Sequence, residues 1–214
     1  ELDGKTLRTW LGGANIGAKL LYDSVPAGVA WSDPGNCLIL AAGPLNGAHL
    51  AGSGTFKVVT KGPLTNGAAI SQANGYFGAY LKFSGFDAVT IQGQAKKWTY
   101  LYLHDGVAEL RDATHLVGKD AMETEKAIKK ELGKPAHAVS VFSIGPAGEN
   151  LVKFAAIVGE KGHVAGHNGM GAVMGSKKLK AVVADRSQGK IEFHDPAKMA
   201  SLRQELYEAI QKDP

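Results

Sequence analysis

The chain has 214 residues, a formal net charge of +4, 44% hydrophobic and 21% charged residues, a composition that builds one sizeable core or two small ones and is not that of a disordered segment. So mild a charge, without an aromatic-rich basic stripe or a helix-turn-helix or RNP-like pattern, argues against nucleic acid as a partner. No apolar stretch approaches the ~20 residues of a membrane span. The single cysteine, Cys37, excludes an intramolecular disulfide and any cysteine-rich zinc or iron–sulfur site built by this chain alone.

Residues 5–23 carry Leu7, Trp10, Leu11, Ile16, Leu20 and Leu21, broken by Gly12-Gly13, which predicts two short helices with a turn between them. The segment PAGVAWSDPGN reads as an exposed loop. Cys37–Ala42 and Phe56–Thr60 read as buried strands, with Cys37 an inert buried thiol. Tyr76–Phe83 fits a short helix stopped by Gly85. Strands follow at 88–92, 99–104 and 107–111, the last two joined at Asp105-Gly106, a strong hairpin signal. Asp120 to Leu132 is the clearest helix: Asp120 and Glu123 form a capping box, Ile128 and Leu132 share a face, and Gly133 with Pro135 end it. Further strands are expected at 138–144, 151–158, 181–184 and 191–193. Asp195-Pro196 opens a last helix with Met199, Leu202, Leu206 and Ile210 on its apolar face. That face meets nothing beyond Pro214, which reads as a chain cut at a domain edge or as a short extra helix.

Glycine is the compositional departure: 28 residues, nearly twice the usual share of about 7%. It is densest from Gly159 to Gly175. Such density marks left-handed turns or close approach of the backbone to another group. Peptide N–H groups in such a loop can hold anionic oxygens, and Lys177, Lys178 and Lys180 are expected to add positive charge there.

The chain also repeats itself. Residues 38–89 and 139–182 share a plan: Gly43-Pro44 answers Gly145-Pro146, Asn74-Gly75 answers Asn168-Gly169, and Gly78-Ala79 answers Gly171-Ala172. From the alanine of that last pair to the later Ala-Val is nine residues in both copies. Two copies are too few for a solenoid. They imply two related β-rich lobes whose glycine-rich loops converge on one pseudo-symmetric site.

No side-chain constellation announces a reaction. His163 and His167 are four apart but lie in a glycine loop, so the helix that would align them as metal ligands is missing. Glu149-Asn150 reads as a turn pair satisfying backbone groups, and Asp112 and Asp120 as caps. The string GMGAVMGSKK lacks the spacing of a nucleotide-binding phosphate loop.

The strings AAGPLNG, VVTKGPLT, GYFGAYLKFSGFDAV, YLYLHDGVAELRDATHLVGKDAMETE, SIGPAGENLVKFAAIV and GMGAVMGSKKLKAV closely resemble the N-terminal domain of tungsten-dependent aldehyde ferredoxin oxidoreductases. Tungsten-type benzoyl-CoA reductases are similar. The resemblance covers nearly all of residues 8–185 in the family's order. It implies an α+β fold of duplicated β-rich lobes, two related mixed sheets with a few helices, forming a saddle for a bis-pterin tungsten (or molybdenum) cofactor. It implies oxidation of a small aldehyde to a carboxylic acid, with electrons leaving through a [4Fe–4S] cluster to ferredoxin or a similar carrier; a homodimer is compatible with it, and the single cysteine makes a reducing cytoplasm the expected setting. The cluster's cysteine motif, the later helical domains and the family's opening strand are not in this sequence. Residues 1–190 are therefore expected to be a pterin-binding domain excised from a longer enzyme and not catalytic alone, with 191–214 starting the connection to a helical domain.

Carried over residue by residue, the resemblance puts the family's pterin-contacting arginine at Thr55. Its next-loop asparagine and glycine fall on Gln72 and Asn74, beside Gly75. A basic residue of the second loop falls on His163, followed by Val164 and the matching Gly166, and His167-Asn168 stands where Arg-Gly is frequent. Losing a guanidinium at Thr55 is not conservative. The departures leave two other readings open: a non-catalytic scaffold of this fold, or the domain of an aromatic acyl-CoA reductase.

Overall fold

A computed structural model describes residues 2–160 and 162–213. Two helices open the chain, α1 (Gly4–Trp10) and α2 (Gly13–Ser24), the first capped by Asp3, whose carboxylate accepts from the Thr6 N–H at 2.7 Å. A four-stranded sheet follows from β1 (Leu38–Ala42), β2 (Phe56–Lys61), β3 (Ala68–Ala73) and β4 (Ala88–Ile91), with α3 (Phe77–Phe83) between the last two. Its order is β3-β2-β1-β4, antiparallel throughout. β1 is apolar at all five positions because it is an inner strand, buried along its whole length.

The second sheet contains β5 (Thr99–His104), β6 (Val107–Asp112), β7 (Val139–Ser143), β8 (Ile157–Gly159), β9 (His163–Ala165) and β10 (Leu179–Asp185). Helices α4 (Ala121–Leu132), α5 (Pro146–Glu149) and α6 (Met170–Ser176) are interleaved with them, and α7 (Pro196–Lys212) closes the chain. The order is β6-β5-β10-β7-β8-β9, with β5 and β10 parallel. Read from its far edge, β9-β8-β7-β10 reproduces β3-β2-β1-β4, and α6 occupies the place of α3. Even the loop contacts repeat: Gly78 N–H donates to Gly54 O at 3.2 Å, and Gly171 N–H to Ala155 O at 2.9 Å. The repeat read in the sequence is thus a repeat of topology, the second copy extended by the β5–β6 hairpin.

Both sheets turn one face to a common core, where Phe56, Phe77 and Phe142 meet with ring centroids 4.5–5.4 Å apart. Tilted and edge-on contacts of this kind contribute beyond area burial. α2 backs the first sheet through Leu21, Cys37, Ile39 and Val59; α4 backs the second through Ile128, Val139 and Val141. The α4 capping box forms as expected, with Gly133 left-handed at its end.

Several expectations need correction. β3 is an edge strand the sequence hid: its alternation of exposed and buried positions is written in Ala and Ser, which carry little strand signal. Residues 151–156 are turn and irregular chain, and only Ile157–Gly159 is strand, because the backbone there must meet α6. Residues 191–193 are not strand. The glycine-dense segment contains β9 and the helix α6, so part of its glycine serves packing: a Cβ on Gly175 would overlap the Gly148 carbonyl, and one on Gly171 would sit 2.5 Å from the Ala156 oxygen. The three lysines do not charge that loop. Lys177 Nζ donates to Asn36 O at 2.5 Å and Gly93 O at 3.2 Å, and Lys178 Nζ to Lys96 O at 3.1 Å. Lys180, fully buried, pairs with Glu149 and donates to Lys119 O at 2.8 Å. Buried ammonium groups find carbonyls and carboxylates because a lone buried charge is too costly.

Candidate functional site

The edge strands β3 and β9 bring the lobes together on one side of the molecule. His167 N–H donates to Ser71 Oγ at 3.1 Å, and Asn168 Nδ2 to Ile70 O at 3.0 Å. Above this seam lie two clefts that share Asn74 and His163. The larger, about 790 Å³, is bordered by the Gly47–Thr55 loop, Asn74–Tyr76, one side of α3, His163 and Arg186. The smaller runs from Gln72 to Asn74 and across to Gly162–His167. All eight residues singled out in the sequence are therefore gathered here: Thr55, Asn74, Gly75 and His163 border the first cleft, and Gln72, Val164, Gly166 and His167 border the second, with Asn74 and His163 common to both. Thr55 Oγ1 donates to Asn74 Oδ1 at 2.9 Å, so this short side chain fixes its neighbour. It brings no charge.

One contact pins the loops of the two lobes. Glu160, in the β8–β9 turn, accepts from the Tyr76 N–H at 2.5 Å and from Ser140 Oγ. Burial pushes its carboxyl above the ordinary 4.5, opposed by the Ser140 and Tyr76 hydrogen bonds and by nearby His163. Gly75 makes room for it: the residue has φ of 103°, and a Cβ there would overlap Glu160 Oε2 and press on His163. Glu160 itself adopts a left-handed φ of 44°, uncommon for a side chain of its size.

The cleft walls have a distinct chemistry. No Asp or Glu is among the described residues that line them, whereas His49, His163, His167 and Arg186 are. Tyr76 and Tyr80 stack with centroids 5.8 Å apart and supply a flat apolar wall. Tyr80 Oη donates to His137 O at 2.6 Å, and burial raises its pKa. At Gly52 and Gly162 a Cβ would meet nothing within 4 Å, so bare backbone borders open space. Among the described residues no three potential metal ligands cluster; His163 lies on β9 and His167 in the following 3-10 turn. Sequence reasoning missed Glu160, Arg186, His49 and the tyrosine pair. Glu160 sits in a turn and Arg186 in irregular chain after β10, where no pattern marks a charge, and only the paired aromatics in GYFGAY offered a signal.

The family profile described as "Aldehyde ferredoxin oxidoreductase, N-terminal domain" matches residues 1–186. The chain belongs to this family. Among curated relatives, a tungsten-containing aldehyde ferredoxin oxidoreductase of Pyrococcus furiosus is 43% identical over 214 residues, covering 100% of this chain and 35% of that protein. An aliphatic sulfonate oxidoreductase, WOR-like subunit, of the same organism is 36% identical, covering 98% of this chain and 35% of its own length. A solved structure, the active site complex BamBC of benzoyl coenzyme A reductase with 1,5-dienoyl-CoA, superposes with a TM-score of 0.91 at 38% identity. It covers 98% of this chain and 32% of that one. The chain thus spans about a third of the length of the relatives it matches, and its α+β architecture is that of the solved relative.

Proposed function

We propose that this chain is the tungstopterin-binding part of an aldehyde:ferredoxin oxidoreductase-type enzyme, which oxidises aldehydes to carboxylic acids and passes electrons through a [4Fe–4S] cluster, ligated outside this chain, to ferredoxin. The observation that carries the reading is the convergence of two like-folded lobes on clefts bordered by bare glycine backbone, three histidines and the guanidinium-bearing Arg186, with no lining carboxylate among the described residues. A bis-pterin group fits such walls. Its ring edges need backbone donors and acceptors at close range, and its phosphates need cations. A flat aromatic wall lies beside them.

When bound, the tungsten (or molybdenum) pterin supplies the redox chemistry. The chain's own residues bind and orient. Thr55, Gln72, Asn74 and Gly75 serve the pterin on the first lobe, and His163, Val164, Gly166 and His167 the one on the second. The Glu160 contact to Tyr76 N–H keeps the loops in register. Residues 1–190 form the binding domain, and 191–214 begin the connection to a helical part.

A second reading has a specific observation behind it. The superposition at a TM-score of 0.91 supports an aromatic acyl-CoA reductase with the same kind of cofactor and a different substrate. Elemental analysis and pterin fluorescence of the full chain purified without oxygen test the shared cofactor. About one tungsten or molybdenum and two pterins per chain support it; a well-folded protein with neither leaves a scaffold. Assays with aldehydes against aromatic acyl-CoA thioesters then separate the two enzymes.

A further inference from the structure

We propose that the larger cleft grips its ligand by a phosphate group and that Arg186 is the anchor. The identity of the ligand rests on the cofactor reading above; the anchor rests on the geometry of the cleft. Arg186 is the first residue after β10, and its N–H donates to Ala138 O at 2.8 Å, which fixes its backbone beside β7. Arg186 is exposed and borders the cleft together with His49, Tyr80 and His163, and its charge is near enough to Tyr80 to oppose the burial that raises that hydroxyl's pKa. Among the described residues its guanidinium has no hydrogen bond or ion pair.

The neighbouring acids are already engaged. Asp185 accepts from Tyr102 Oη at 2.5 Å, from Ser187 N–H at 2.8 Å and from Lys134. Glu160 is turned into the seam toward Tyr76 N–H and Ser140. Arg186 is therefore the one permanently charged side chain among the described residues lining either cleft. A planar guanidinium left unpaired on a cleft that also exposes the Gly52 backbone matches the oxygens of a phosphate better than a carbonyl or hydroxyl ligand. The stacked tyrosines give the rest of that ligand a flat apolar surface.

The probe is inorganic pyrophosphate, titrated calorimetrically at low salt into cofactor-free full chain. Wild type is expected to bind. Arg186→Gln is expected to weaken binding about tenfold or more, the loss of one charge-assisted contact. Arg186→Lys should retain part of the affinity, and Lys126→Gln on the exposed side of α4 all of it. Wild type that ignores pyrophosphate, or an Arg186→Gln variant that binds it equally well, overturns the anchor. The cofactor reading is read separately by metal and pterin content. Wild-type protein without pterin that still binds pyrophosphate through Arg186 supports the anchor while sinking that reading. A chain that purifies with pterin but whose cofactor-free form binds pyrophosphate equally well without Arg186 sinks the anchor alone.

Discussion

Glu160 and Gly75 show how single residues hold the two loops in register. Because burial raises the Glu160 pKa above 4.5, the folded chain binds that proton more tightly than the unfolded one. The group's contribution to stability is complete below about pH 4.5 and is lost as pH rises through the folded value. Glu160→Gln keeps an acceptor for Tyr76 N–H without a buried charge. Urea denaturation should find the variant gaining on wild type between pH 4.5 and 7; a variant that loses ground over that range contradicts the assignment. At Gly75 the cost runs the other way. Gly75→Ala meets both a φ of 103° and the Glu160 carboxylate, and is expected to destabilise by about 2 kcal/mol, measured by the shift in urea midpoint.

At the scale of elements, the buried Lys180–Glu149 pair ties β10 to α5 and, through Lys119 O and the Gly118 N–H, to the turn before α4. Lys180 is 0% exposed. Removing one partner strands the other, so Lys180→Met should cost about 3–5 kcal/mol. Lys180→Met with Glu149→Gln should recover much of that loss in the same denaturation assay, whereas additive losses would mean that the pair is not coupled. This is also where the sequence was least legible. Glu149 was readable as a residue that satisfies backbone groups, but nothing in KKLK told which lysines point inward. α6 was hidden because glycine was read as turn, when Gly171 and Gly175 are small so that α5 and the residues before β8 can touch the helix. β3 was hidden because alanine writes no strand pattern. The α4 capping box, by contrast, is a local device and was readable locally.

For the whole molecule, the legible feature was the repeat. Matching Gly-Pro corners and equal spacings implied two related lobes meeting at one site, and the sheet orders, the paired glycine contacts and the clustering of Thr55, Asn74, His163 and His167 agree. The shared family strings carried the fold with them. They did not carry Arg186 or Glu160, whose roles depend on which charges face the seam once both lobes are folded. That relation is long-range, and no periodicity encodes it.

The proposed function requires that the two lobes hold one metal cofactor between them. Anomalous diffraction at a tungsten absorption edge, from crystals of the full chain purified without oxygen, tests it most directly. A cofactor held by both lobes gives a single strong peak between Thr55 and Asn74 on one side and His163 and His167 on the other. A peak elsewhere on the domain, or protein that diffracts well and shows none at either the tungsten or the molybdenum edge, would contradict it.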